Sequence, residues 1–136
     1  MAESALLPKL AIVAIVMLLA FPIVSRLIQG EPEPAEITWL SEIPVETERS
    51  TLVYFTADWC PPCQAMKRET WPDDGVEGAI GEWNAVKIDV DENPDLARQF
   101  AAESIPTMVV LNTDGEEVRR HVGFLSASDL LAFLRG

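Results

Sequence analysis

Cys60 and Cys63 are the only cysteines in the chain, and they stand three apart in the stretch TADWCPPCQ. That spacing allows three kinds of chemistry: a redox couple, part of a metal centre, or a structural staple. A structural zinc centre wants four Cys or His ligands. Here there are two Cys and one His, His121, far along the chain. A staple across two intervening residues closes too short a loop to restrict the unfolded chain much. The surroundings favour the redox couple. The apolar run TLVYFTA (51–57) reads as a buried strand, and CPPCQAMKRET (60–70) reads as a helix starting at the pair. At a helix start, free N–H groups and the positive dipole end stabilise a thiolate, the attacking species in disulfide exchange. Cys60, beyond the helix end, is therefore the expected nucleophile, and Cys63, one turn in, the expected resolving thiol. Pro61 and Pro62 suit a first turn and stiffen the ring, but they remove two N–H donors that could face the Cys60 sulfur. The thiolate is expected to rely on the Cys63 N–H and the helix dipole.

The elements that must position this pair follow from the rest of the pattern. ITW (37–39) has the makings of a short strand, and LSEIPVETER (40–49) is polar and broken by Pro44. After the 60–70 helix, Pro72 and DDG stop the chain, and a second helical piece is expected from Val76 to Trp83. NAVKIDV (84–90) reads as a strand. NPDLARQFAAE (93–103) reads as a helix with Asn93 as N-cap and Pro94 at its first position. TMVVLN (107–112) is a third buried strand, TDGE (113–116) a hairpin turn, and EVRRHVG (117–123) its return strand. Ser126 is placed to cap a last helix, ASDLLAFLRG, with Leu130, Leu131 and Leu134 on its apolar face. Alternation of β and α implies right-handed crossovers and helices on both faces of a central sheet. Met66, Phe100 and Phe133 are expected in the core, Trp39, Trp71 and Trp83 as packing residues, and His121 as a strand surface residue.

The amino-terminal part has a different character. Residues 10–24, LAIVAIVMLLAFPIV, carry no charge, and extension to Ile28 approaches the roughly 20 apolar residues a membrane helix needs. Lys9 and Arg26 can snorkel at its ends, and Pro22 is tolerable near one of them. The following SRLIQGEPEPAE offers neither a small-residue cleavage site nor a lipidation cysteine. Residues 1–28 are thus expected to be an uncleaved anchor, 29–36 (QGEPEPAE) a stiff Pro/Glu tether, and 37–136 the folded domain. Lys9 before the span and Arg26 after it give the positive-inside rule almost no vote. From Gly30 onward there are 8 Lys+Arg against 21 Asp+Glu, a net of −13, which argues against nucleic acid as a partner.

With those residues in view, residues 50–136 resemble the thioredoxin superfamily. ADWCPPCQ is similar to its active-site segment, VKIDVDENPDLARQF to the strand and helix that follow, and SIPTMVVLNTDGEEVRRHVGFLS to its cis-proline strand, hairpin and final glycine. The resemblance implies a thioredoxin fold: an α/β domain with a mixed four- to five-stranded sheet flanked by helices. It implies a cis Ile105–Pro106 bond facing the cysteines, with the Ile105 backbone pairing with substrate. Trp59, Pro61, Pro62, Ile105 and Pro106 would then wall a substrate groove. It implies a redox-active Cys60–Cys63 disulfide and no bound cofactor or metal. One departure concerns proton handling. Tyr54 stands where thioredoxins carry a buried Asp, while Lys87 matches the lysine that accompanies that Asp, so Asp58, Lys87 or water is left to move protons. A second departure, KRETWPDDGVEGAI, is closer to the C-terminal thioredoxin domain of transmembrane thiol–disulfide reductases of the DsbD type. That points to a membrane-tethered oxidoreductase reducing disulfides of cell-envelope proteins on the periplasmic or extracytoplasmic side, supplied by a membrane electron donor. An oxidase or isomerase, or a non-catalytic subunit of a membrane complex, are the alternatives.

Overall fold

The computed structural model describes residues 36–45 and 47–136. The expected membrane helix at 10–28 and all of the 29–36 tether except Glu36 lie outside the described residues. Among the described residues, no helix is long and apolar enough to cross a membrane.

Eight elements follow one another: β1 (Thr51–Thr56), α1 (Pro61–Glu69), α2 (Asp74–Ile80), β2 (Asn84–Asp89), α3 (Pro94–Gln99), β3 (Thr107–Leu111), β4 (Glu117–Val122) and α4 (Ala127–Arg135). The four strands form one sheet in the order β2-β1-β3-β4. β1 runs parallel to β2 and antiparallel to β3, and β3 pairs antiparallel with β4. β1 is central and buried from Thr51 through Phe55, which is why its sequence is a continuous apolar run rather than an alternation.

Alternate residues of the central strands feed two separate cores. Leu52, Tyr54, Met108 and Val110 pack with Met66 of α1, Val76 and Ile80 of α2, and Leu130 and Leu134 of α4. Val53, Phe55, Val86, Ile88, Val109 and Leu111 pack on the other face with Ala97 of α3. The period of two along each strand divides the apolar side chains between the faces, so helices cover both sides as expected. Trp39, Trp71 and Trp83 all join the first core, and Met66 is fully buried. Phe100 and Phe133 are only half-buried, at the margins of the two cores.

Several boundaries differ from the sequence reading. The expected strand at 37–39 does not form. Leu40 makes a single parallel bridge to Val86 instead, with its N–H donating to Ala85 O at 2.8 Å and its carbonyl accepting from Lys87 N at 3.0 Å. The sheet therefore has four strands. α2 begins at Asp74 because Asp73 caps it, accepting from the N–H groups of Gly75 and Val76 at 3.0 and 3.1 Å. It ends at Ile80, three residues short of Trp83. α3 closes at Gln99 rather than 103, and the chain then turns through Ala101 at φ 48°. Asn93 makes no side-chain cap; its amide donates to Asp89 O at 3.3 Å instead.

Edge strand β4 is fastened from both sides. Arg119 donates to the Phe133 and Leu134 carbonyls near the end of α4, and Arg120 donates to Phe100 O at 2.9 Å after α3. His121 is half-buried, its ring 6.1 Å from that of Phe133.

Candidate active site

β1 delivers the chain to the sheet's end, and the loop Ala57–Cys60 turns it into α1. Gln64 reaches back from the helix, its Nε2 donating to Asp58 O at 2.6 Å, which fixes the loop against the helix. Cys60 itself is the N-cap of α1: its backbone is extended (φ −82°, ψ 111°), and its Sγ accepts from the Cys63 N–H at 3.3 Å. Pro61 and Pro62 occupy the first two helical positions, and the first turn holds no acidic residue. The end of the helix facing the sulfur therefore keeps its positive character. Lys67 and Arg68 sit in the last turn, where cations suit the negative end.

Cys60 and Cys63 are joined in a disulfide, with their Cα atoms 5.2 Å apart. Both are nearly buried, at 2% and 3% exposure. They pack with Ala57, Val90 and Ile105. The Ile105–Pro106 peptide bond is cis, as the resemblance implies. The Ile105 carbonyl oxygen lies 3.6 Å from Cys60 Sγ. In the disulfide that is a contact; on reduction a Cys60 thiol has this acceptor in front of it. The 104–107 turn is held by Thr107 Oγ1 donating to Ser104 O at 2.5 Å and by Gly123 N–H donating to Pro106 O at 2.7 Å.

Trp59 projects next to the pair and is 64% exposed, while Pro61 is exposed and Pro62 half-buried. Of the residues expected to wall the groove, Ile105 packs against the pair, and Trp59, Pro61 and Pro62 adjoin it in sequence. Trp59 does not swing freely: its Nε1–H donates to Asp91 Oδ2 at 2.7 Å. Asp91 was not singled out from the sequence. It lies 32 residues from Trp59, and no local spacing connects them.

The two candidates for proton handling are both near but neither is buried against the sulfurs. Asp58 and Lys87 are exposed. They line, with Cys63, a cleft of about 760 Å³. The Lys87 ammonium stands 6.0 Å from the centre of the Trp39 ring. Its register partner on β1 is Tyr54, 3% exposed, which stacks edgewise against Trp71 with ring centres 4.8 Å apart. Burial pushes the Tyr54 hydroxyl up from its ordinary value, and the nearby Thr56 and Trp71 side chains offset part of the rise. Among the described residues, no group of three or more His, Cys, Asp or Glu could hold a metal ion. The disulfide is the one redox group the site presents.

Comparison with known proteins places this geometry. Residues 40–136 match the family model described as a thioredoxin-like domain. The chain is 40% identical over 83 residues to the thioredoxin of Staphylococcus saprophyticus, covering 58% of this chain and 73% of that one. It is 37% identical over 87 residues to the thioredoxin of Mycobacterium tuberculosis, covering 64% and 72%. Among solved structures, it superposes on a thioredoxin from Thermus thermophilus with a TM-score of 0.58 at 32% identity, covering 64% and 72%. A mutant thioredoxin from Halobacterium salinarum gives a TM-score of 0.59 at 29% identity, covering 78% and 94%.

Proposed function

The chain belongs to the thioredoxin-like domain family, and on that premise we propose that it is a membrane-tethered protein-disulfide reductase of extracytoplasmic proteins. That it is a thiol–disulfide oxidoreductase follows from the family and the Cys60–Cys63 disulfide. The exchange needs no cofactor, because the dithiol carries both electrons. The Cys60 thiolate attacks a substrate disulfide, whose far sulfur leaves as a thiolate. The Cys63 thiolate then attacks Cys60 Sγ, releasing the second substrate sulfur and closing the Cys60–Cys63 disulfide. The substrate gains two electrons and the pair loses them.

The observation that carries the reducing direction is the poverty of donors at Cys60. Among the described residues, only the Cys63 N–H reaches its sulfur, since Pro61 and Pro62 have none to offer. A strongly oxidising pair is one whose reduced, thiolate form is well stabilised. A thiolate with one backbone donor is less favoured, which moves the couple toward the reductant. The tether rests on the uncharged run 10–24, and the extracytoplasmic setting on the likeness of residues 67–80 to the DsbD-type domain. In such a compartment the pair needs a membrane partner to return electrons to it.

Equilibrating the full chain in detergent with thiol buffers of defined potential tests this, with tryptophan fluorescence as the readout. We expect a value near −270 mV, about that of thioredoxin; a value near −120 mV, about that of DsbA, would make the protein an oxidant. Membrane fractionation with protease accessibility tests the tether: recovery of the full chain in the soluble fraction overturns it.

A further inference from the structure

Disulfide exchange asks something of Cys63 that its surroundings make difficult. To resolve a mixed disulfide it must shed its proton, yet it is 97% buried, with Cys60, Ala57, Val90 and Ile105 packed about the pair. A buried thiol does not lose a proton into an apolar wall. Cys63 borders a polar space, the cleft of about 760 Å³ beside α1. Its lining includes the hydrogen-bonding side chains of Tyr54, Thr56 and Trp71. Trp71 is 92% buried, and its Nε1–H has no acceptor among the described residues. A buried donor without a protein partner marks a place where water completes the bonding.

We propose that water in this cleft is the route by which the Cys63 proton leaves, and that the Tyr54 hydroxyl, flanked by Thr56 and the Trp71 indole, orders that water as a positioning residue. The inference rests on the oxidoreductase reading above. The step balances simply. Cys63–SH passes its proton to cleft water and so to solvent; the thiolate attacks Cys60 Sγ; the Cys60–substrate bond breaks; the substrate sulfur departs with the electron pair and takes a proton from solvent. Burial favours the neutral Tyr54 hydroxyl, so it serves as a hydrogen-bonding group that orders water and is not itself the base. Charged groups face the cleft from every side: Glu36 before the fold, Asp58 from the β1–α1 loop, Lys67 and Arg68 from α1, Lys87 and Asp89 from β2, and Glu92 after it. None of them is changed by Tyr54→Phe. A difference between the two pH profiles therefore reports the hydroxyl.

The test is single-turnover reaction of the reduced full chain with dithiobis(nitrobenzoate). Attack by Cys60 releases one thionitrobenzoate, and attack by Cys63 releases a second. In Tyr54→Phe the first release should keep its rate. The second should slow about tenfold near neutral pH, less than the 10²–10⁴-fold of a direct general base, and the deficit should shrink as pH rises and hydroxide removes the proton. Thr56→Val should shift the second release in the same direction by less. A second release unchanged in both variants across pH overturns the inference, and so does equal slowing of both releases, which would report loosened packing. Absence of the first release in the unsubstituted chain would overturn the oxidoreductase reading, and this inference with it. A normal biphasic release in that chain with identical Tyr54→Phe traces overturns this inference alone.

Discussion

Cys60 caps α1 with a sulfur where a hydroxyl or carboxylate usually stands, and the cap is where its chemistry is set. An N-cap side chain accepts from the second or third N–H of the helix. Here the second belongs to Pro62 and does not exist, so the third, from Cys63, is left. Pro62→Ala restores the second donor without disturbing Pro61. One added bond to a thiolate is worth about 1 kcal/mol, so the reduction potential should rise by about 20 mV. Thiol-buffer equilibration measures it, and an unchanged or lower potential would show that the missing donor does not tune the pair. At the neighbouring residue, Asp91 holds the exposed Trp59 indole in place beside the disulfide. Asp91→Ala should raise KM for a disulfide protein about fivefold and leave kcat nearly unchanged, the signature of lost ground-state positioning. Steady-state kinetics decide it; a fall in kcat at constant KM would place Asp91 in the chemistry.

At the scale of elements, glycines show how the same side chain can be required in one place and dispensable in another. The β3–β4 hairpin turns through Gly115 at φ 80°, inside a loop where Asn112 Oδ1 accepts from the N–H groups of Asp114 and Glu116 at 3.0 and 2.9 Å. Gly78 sits on the exposed side of α2 with open space where a Cβ would go. Both sites have room for a methyl group, but only Gly115 has a backbone that an L side chain resists. Gly115→Ala should destabilise by about 1 kcal/mol, and Gly78→Ala should stabilise by about 0.5–1 kcal/mol. Denaturant unfolding of the two variants should therefore shift in opposite directions; a common direction would mean that room, not conformation, decides.

For the whole molecule, the two-core construction puts the chain's only tyrosine inside the first core. Burial raises its ionisation above the ordinary value near 10. The folded state then holds its proton at a pH where the unfolded chain has lost it. Stability is unaffected below about pH 10 and falls as pH climbs toward the raised value, by at most about 1.4 kcal/mol per pH unit. With the protein oxidised, so that no thiol absorbs, phenolate absorbance should appear above the ordinary tyrosine range. Tyr54→Phe should lose less stability over the same range. A phenolate titrating near pH 10 with the fold intact would mean that burial does not raise Tyr54.

Much of this was legible before any coordinates. Strands β1 and β3 announce themselves as continuous apolar runs, because a strand covered on both faces needs no polar alternation. The hairpin is written in Asp114–Gly115, and the cysteine pair in its position at a helix start. Those features depend on residues close together in the chain. The misreadings fall where a longer reach decides. ITW (37–39) has the composition of a strand, but only Leu40 meets a partner, in a single parallel bridge to Val86 of β2. Asn93 was a fair cap by type, yet the nearby Asp89 carbonyl claimed its amide. Asp91 met Trp59, and Tyr54, Trp71 and Cys63 came to share one cleft, through the packing of β1, α1 and β2. Local spacing determined which residues could do the chemistry. Tertiary structure alone decided which groups line the cleft beside Cys63 and which carboxylate holds Trp59, because side chains distant in sequence become neighbours only when the sheet and helices close around them.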